Sequence, residues 1–236
     1  MNTRGLRSFR PKCGALAAAL LATLVGCSGS FCVGSDECGW GAGPPQLALS
    51  GTAATGAALA SASVAITCAD GAAGAVSDGG GHYGATFDAW LPCVLTVTSG
   101  SVTLHSAAFA GGIFNTTPET ELMLVYLAAQ LSTTVAGLVA GLPSNALFQQ
   151  VLGNPNYVLA AQSAVVFNLQ QHYALTLSTP AFLTTPFVVG QPGVDSDLEA
   201  LAAAGAIDAN GMPDAAAVSL LSAAGQAQPI ARASAR

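Results

Sequence analysis

Val64-Ala65-Ile66-Thr67-Cys68 and Cys93-Val94-Leu95-Thr96-Val97 decide how the first half of this chain folds. In the first, Val64, Ile66 and Cys68 fall on one face and Ala65 and Thr67 on the other. In the second, Cys93, Leu95 and Val97 alternate with Val94, Thr96 and Thr98. A period of two is that of a half-buried strand. The same alternation sets Tyr83, Ala85 and Phe87 against Gly84, Thr86 and Asp88, and Val102 and Leu104 against Thr103 and His105. Asp70-Gly71, Asp78-Gly79-Gly80-Gly81 and Ser99-Gly100 punctuate the runs with turn residues. Short strands with regular turns over 47–110 predict a small antiparallel β-sandwich. Cys68 and Cys93 lie on the apolar sides of their strands, where an internal disulfide would sit.

Beyond this stretch the period changes. Thr117-Pro118-Glu119 opens a helix: Thr caps, Pro suits the first turn and Glu favours the positive end of the dipole. Leu122, Val125, Tyr126 and Ala129 follow at helical spacing. Segments 144–152, 156–172, 196–204 and 213–224 read as further helices. Ser196 with Glu199 forms a capping box, and Gly205 and Gly225 serve as stops. The fold class expected is therefore α+β and multidomain: an N-terminal antiparallel β-sandwich followed by an all-α helical domain over 116–225. Within the latter, 176–192 reads as an extended loop rich in Thr and Pro, and 226–236 as a disordered tail.

Composition narrows the class. Of 236 residues, 52% are hydrophobic and 8% charged, which is the wrong balance for a disordered chain. Only one apolar run could enter a bilayer. It is N-terminal and short, so a polytopic membrane protein is excluded. Charge is distributed unevenly. Arg4, Arg7, Arg10 and Lys12 are the only basic residues before Arg232 and Arg236, while all 12 acids follow Cys27. Phosphate recognition relies on Arg and Lys. The sequence therefore argues against nucleic-acid and nucleotide partners, and against attraction of the folded part to anionic headgroups.

At the N-terminus the four cations precede an apolar stretch, Cys13–Val25, in the manner of a secretory leader. Leu24-Val25-Gly26-Cys27 ends it. This run resembles the lipobox of bacterial lipoproteins. The resemblance implies a lipoprotein signal peptide over 1–26, acylation of Cys27, and a membrane partnership through the lipid anchor. Several acyl chains, at about 0.8 kcal/mol per buried methylene, hold a protein on a bilayer far better than one. Under the sorting rule of that family, Ser28 in place of Asp implies the outer membrane of the bacterial cell envelope.

Cys13 would leave with the leader, and Cys32, Cys38, Cys68 and Cys93 remain. An even number in an exported chain favours disulfides. Four cysteines allow three pairings. Cys32–Cys38 as a short local loop and Cys68–Cys93 as a strand-to-strand staple are the favoured set, with a metal site as the alternative. Residues 27–46, rich in Gly, Ser and Pro, read as a flexible tether of about 25 Å root-mean-square reach. Trp40 within it could pack on the domain or sit at the membrane interface.

The strand region carries Gly56-Ala57-Ala58-Leu59-Ala60-Ser61-Ala62-Ser63-Val64, then Ser77-Asp78-Gly79-Gly80-Gly81-His82-Tyr83. These stretches resemble the carboxypeptidase-regulatory-like, or prealbumin-like, sandwich family. That family has Gly-x-Pro-Leu-x-x-Ala-x-Val followed by Thr-Asp-x-x-Gly-x-Tyr. Ala58 stands where Pro is usual and Ser77 where Thr is usual. The resemblance makes Asp78 and Gly81 turn formers and Tyr83 a core residue, and it implies a structural or binding module, not a chemistry. Thr117-Pro118-Glu119-Thr120-Glu121-Leu122 is similar to a Thr-Pro-Leu-Thr-Glu-Leu segment that often follows such sandwiches in proteobacterial surface proteins.

Chemistry is sparse. No Gly-x-Ser-x-Gly elbow and no His-Glu-x-x-His occurs. The candidate bases are His82 in a turn, His105 on an exposed strand face and His172 at a helix end. Asp195, Asp197 and Glu199 form the densest acid cluster, and capping explains them. Asp208 to Asp214 resembles a calcium loop without its late Glu, and Pro213 and Asp214 more simply open the last helix. Glu119 and Glu121 read as solvated. The apolar helices at 121–140 and 157–171 read as mutual packing, with a groove for an apolar ligand as the alternative. No catalytic, cofactor-binding or metal-ligating residue is assigned. The function expected is that of a non-catalytic, lipid-anchored envelope protein, structural or binding a protein or glycan partner. A small-ligand or carbohydrate binder is the alternative, and a hydrolase ranks below both.

Overall fold

The computed structural model describes residues 43–230. Cys27, Cys32, Cys38 and Trp40, with the expected leader and most of the tether, lie outside the described residues.

Among the described residues seven strands come first and six helices follow, an α+β arrangement. Four strands make one sheet: β2 (Ser63–Asp70), β3 (Ala72–Val76), β5 (Trp90–Ser99) and β6 (Val102–Ala108), in the order β3-β2-β5-β6. All its pairings are antiparallel. Val64 faces Val97, Ile66 faces Leu95 and Cys68 faces Cys93. These are the alternating sets that the sequence puts on the apolar side, and each of the six is at most 1% exposed. Cys68 and Cys93 are joined by a disulfide. The second sheet is β4-β1-β7, from β1 (Gln46–Thr52), β4 (His82–Asp88) and the short β7 (Gly112–Ile113). β1 is antiparallel to β4 and parallel to β7.

Gly51 of β1 shows why one position must be bare. A Cβ there would fall 2.1 Å from the carbonyl oxygen of Phe114 and 2.7 Å from the hydroxyl of Tyr83. That hydroxyl donates to the Phe114 carbonyl and lies 2.9 Å from Thr116 Oγ1. Tyr83 is thus buried, with a polar handle that ties β4 to the chain entering the helices.

The helices are α1 (Pro118–Gln130), α2 (Val135–Gly141), α3 (Ala146–Leu152), α4 (Pro155–Tyr173), α5 (Val194–Ala203) and α6 (Ala215–Gln226). Thr117 caps α1 as its sequence indicates. The hydroxyl of Thr120 accepts from the Thr117 N–H, completing a reciprocal box without Glu or Gln. The apolar stripe on α1 is wider than the spacing implies: Leu122, Met123, Leu124, Tyr126, Leu127 and Ala128 are all buried. A helix that is apolar almost all round belongs inside a fold. β6, α2, α4 and α6 pack on it. Gly225 lets α6 approach closely, since a Cβ there would fall 2.4 Å from the Tyr126 carbonyl oxygen.

Strands and helices consequently share one hydrophobic cluster running from Leu47 to Leu221, and the chain from Gly43 onward is one compact unit. The strand region and the helical region distinguished in the sequence thus share a core. The physical reason is α1, whose breadth of apolar surface needs cover from strands and helices together. No single described helix is long and apolar enough to cross a membrane.

Three boundaries differ from expectation. The run 121–140 breaks where Ser132 takes a left-handed φ of 55°, and Thr134 caps a new helix. Helix α5 begins two residues before Ser196. Gly193 donates its N–H to Ser196 Oγ and accepts from that hydroxyl, so Ser196 sits inside the first turn rather than capping it. The tail expected from 226 is held as far as it is described: Gln130 donates to Gln228 O and accepts from the Ile230 N–H.

Candidate functional site

Outward from the core, Ser50 and Thr52 of β1 lie beside Gly84 and His82 of β4 in register. They form the outer face of the three-stranded sheet. Over one end of this face runs part of the segment 174–193, which joins α4 to α5 without a helix or strand of its own. Between them lies a cleft of about 500 Å³, lined by Ser50, Gly51, Thr52, His82, Tyr83 and Ile113 on the sheet side. Pro186, Phe187, Val188, Gln191 and Pro192 line it on the loop side. A second groove, of about 760 Å³, continues past Ser50 along Ala48, Gly84 and Thr86.

Loops longer than about 12–15 residues without regular structure are uncommon in compact folds, and those that are ordered tend to be functional. This one is fixed by buried polar side chains. Asn115, fully buried, donates through Nδ2 to the carbonyls of Phe182 (2.9 Å) and Thr185 (2.7 Å), and its Oδ1 accepts from the Thr52 N–H. Thr52 Oγ1 donates to the Phe187 carbonyl at 3.1 Å. Gln162 Oε1 accepts from the Leu183 N–H. Asp195 Oδ2 accepts from the Gly190 N–H at 2.7 Å. Asp197 accepts from the Ser178 and Thr179 backbone and from the Ser178 hydroxyl. The loop is therefore a fixed wall, and the cleft is preformed.

Asp195 and Asp197, read from sequence as helix-start acids, are buried anchors of this wall, while Glu199 of the same cluster is exposed. Asn115, Thr52 and Gln162 carry no signal in the sequence. Their partners lie up to 135 residues away along the chain.

His82 stands on the cleft rim. Asp78 accepts from the backbone N–H groups of Gly80 (2.8 Å) and His82 (2.9 Å), and its carboxylate lies 3.2 Å from His82 Nδ1. The backbone hydrogen bond from His82 is the largest of the causes that hold the Asp78 carboxyl below its ordinary value. An ionised Asp78 places the proton of a neutral imidazole on Nδ1, which leaves Nε2 as an acceptor. Among the described residues no hydroxyl or thiol hydrogen-bonds to His82, so this pair lacks the nucleophile a triad needs.

His105 and Glu121 correct two expectations. His105 is not on an exposed face: its side chain is 17% exposed, with Nδ1 2.8 Å from Glu121 Oε2. The same oxygen accepts from the His105 backbone N–H at 2.7 Å. Strand β6 ends its sheet, and an edge strand presents unpaired N–H groups. Glu121 occupies one of them, so this carboxylate seals an edge rather than meeting solvent. His172 lies in the last turn of α4, as expected. Asp208 makes a turn with Asn210 and Met212, and Asp214 caps α6. Among the described residues no group of three or more His, Cys, Asp or Glu is placed to hold a metal ion.

Glu119 is the larger correction. Expected to be solvated, it is 0% exposed, and neither carboxyl oxygen has a hydrogen-bond partner. Burial pushes its pKa well above the ordinary 4.5, and the charge of Asp197 pushes it further in the same direction. A group whose folded pKa is raised contributes its full stability below the unfolded pKa and loses it as pH rises through the folded pKa. Thermal stability should accordingly fall as pH rises from the ordinary glutamate range toward the raised folded value. In Glu119→Gln that slope should flatten, with a gain of about 1–2 kcal/mol over the parent at the alkaline end. Parallel slopes in melts across this range would contradict the assignment.

Comparison with family models, with curated proteins and with solved structures finds no match to this chain.

Proposed function

We propose that this is a lipid-anchored protein of the bacterial cell envelope, acylated on Cys27 and held at the outer membrane. Its folded part acts without catalysis, in structure or in binding a protein or glycan partner. The observation that carries the reading is the placement of Leu24-Val25-Gly26-Cys27 at the end of a basic and then apolar leader. The buried Cys68–Cys93 disulfide supports it, because such bonds persist in oxidising compartments.

In this reading residues 47–110 form a carboxypeptidase-regulatory-like β-sandwich, with the helical region 116–225 packed against it. Buried residues of both sheets, among them Leu49 and Tyr83 of one and Ile66 and Leu104 of the other, belong to the same cluster and support two facing layers. Ser77, which stands where the family has Thr, accepts from the Ala62 N–H and donates to the Leu59 carbonyl. A hydroxyl is therefore used at that position.

The test is metabolic labelling with a fatty acid, with mass spectrometry of the mature N-terminus. The native chain should carry label and begin at an acylated Cys27. Cys27→Ser should take up no label and keep its leader. Normal processing of Cys27→Ser, with full retention on membranes, would sink the reading. A small-ligand role is the second reading, and the preformed cleft is what favours it.

A further inference from the structure

We propose that the cleft between the outer face of the three-stranded sheet and the loop 186–192 binds an uncharged, largely apolar small molecule that donates a hydrogen bond to His82. This goes beyond the envelope reading and does not depend on it.

The first support is construction. Buried polar side chains from α4, α5, β1 and the chain before α1 are all committed to holding one loop in one place. The result is a concave wall rather than a closed core. A volume of about 500 Å³ falls within the range of small-molecule pockets. The second support is the lining. Ile113, Pro186, Val188 and Pro192 give it an apolar character, and Val188 is a large aliphatic side chain left 54% exposed. Covering such a surface is favourable at about 25 cal/mol per Å².

Charge then selects the ligand. No Lys or Arg occurs between residues 13 and 231, while ten acids lie between Asp70 and Asp214, so an anion meets only repulsion. A cation gains little at the rim, because Asp78 already has two backbone donors and the His82 ring. A sugar would want an exposed aromatic platform. Phe187 is only 9% exposed and Tyr83 is buried. The polar side chains lining the cleft are Ser50, Thr52, His82, Tyr83 and Gln191, the Tyr83 hydroxyl being used on Phe114. The Thr52 hydroxyl is used on Phe187, whereas His82 Nε2 remains an acceptor once Nδ1 faces Asp78. One donor on an otherwise apolar molecule satisfies it.

A matched pair of dyes tests this on the full-length chain carrying Cys27→Ser, so that no acyl group competes. N-phenyl-1-naphthylamine is neutral with one N–H, and 8-anilinonaphthalene-1-sulfonate adds an anionic group to the same skeleton. Fluorescence titration should show saturable binding of the neutral dye, and binding of the sulfonate at least about tenfold weaker. Val188→Asp should weaken the neutral dye by about tenfold or more. His82→Phe should weaken it by about fivefold. Phe167→Ser, at a large exposed apolar side chain on α4 away from the cleft lining, should leave it unchanged. Absence of saturable binding, equal affinity for both dyes, or loss with Phe167→Ser in place of Val188→Asp would overturn the site. Unchanged affinity in His82→Phe would overturn the hydrogen-bond assignment.

Discussion

Asn115→Ala is expected to lower the unfolding free energy by about 3–5 kcal/mol and to release the loop 174–193. The side chain is completely buried and makes three hydrogen bonds to backbone groups from two distant parts of the chain. Removing it strands a buried N–H on Thr52 and two carbonyls on the loop. Each orphaned group costs about 1–3 kcal/mol when water cannot reach it. Asn115→Asp should be no milder, since a carboxylate can accept from Thr52 but faces two carbonyl oxygens that need donors. Urea denaturation measures the loss. Amide hydrogen exchange gives a second readout: protection should fall at Leu183 and Gly190 while the β2–β5 amides keep theirs. A loss under about 1 kcal/mol with an unchanged exchange pattern would show that the loop is held by other means.

The double replacement Cys68→Ala with Cys93→Ala is expected to cost about 3 kcal/mol. The disulfide closes a loop with a sequence separation of 25, and loop-closure entropy of that length corresponds to a cost of this order. Both residues are directly opposite in the β2–β5 register and buried, so native packing changes little when each becomes Ala. The effect should therefore appear as a lower denaturation midpoint with the fold retained. A single replacement should be worse behaved, because it leaves one thiol free to pair elsewhere. An unchanged midpoint in the double variant would mean that the unfolded chain is already constrained across this span.

Local rules made the strands and the staple legible. Alternation at Val64-Ala65-Ile66-Thr67-Cys68 names the buried face without knowledge of the partner strand, and the cap at Thr117-Pro118 marks its helix from three residues. What escaped was set by distant parts of the chain. Glu119 and Glu121 look alike at a helix start, where acids ordinarily meet water. The neighbourhood of Asp197 and the edge of β6 decide that one is sealed inside and the other pinned to His105. Asp195 and Asp197 were legible as acids near a helix start but not as anchors. The backbone they hold is an irregular segment whose path follows from packing rather than from periodicity. The cleft was illegible for the same reason: its sheet side ends at Ile113 and its loop side begins at Pro186, 73 residues further along the chain.

Helix α1 sits at the crossroads of β6, α2, α4 and α6. Its cover is completed by the last helix of the described chain. A polypeptide growing from its N-terminus therefore exposes an oily rod for as long as α6 remains unsynthesised. No fragment stopping short of residue 215 should mature into a soluble product. Assembly has to wait until α6 is delivered, so a nascent chain of this kind keeps that apolar surface exposed until the helix emerges.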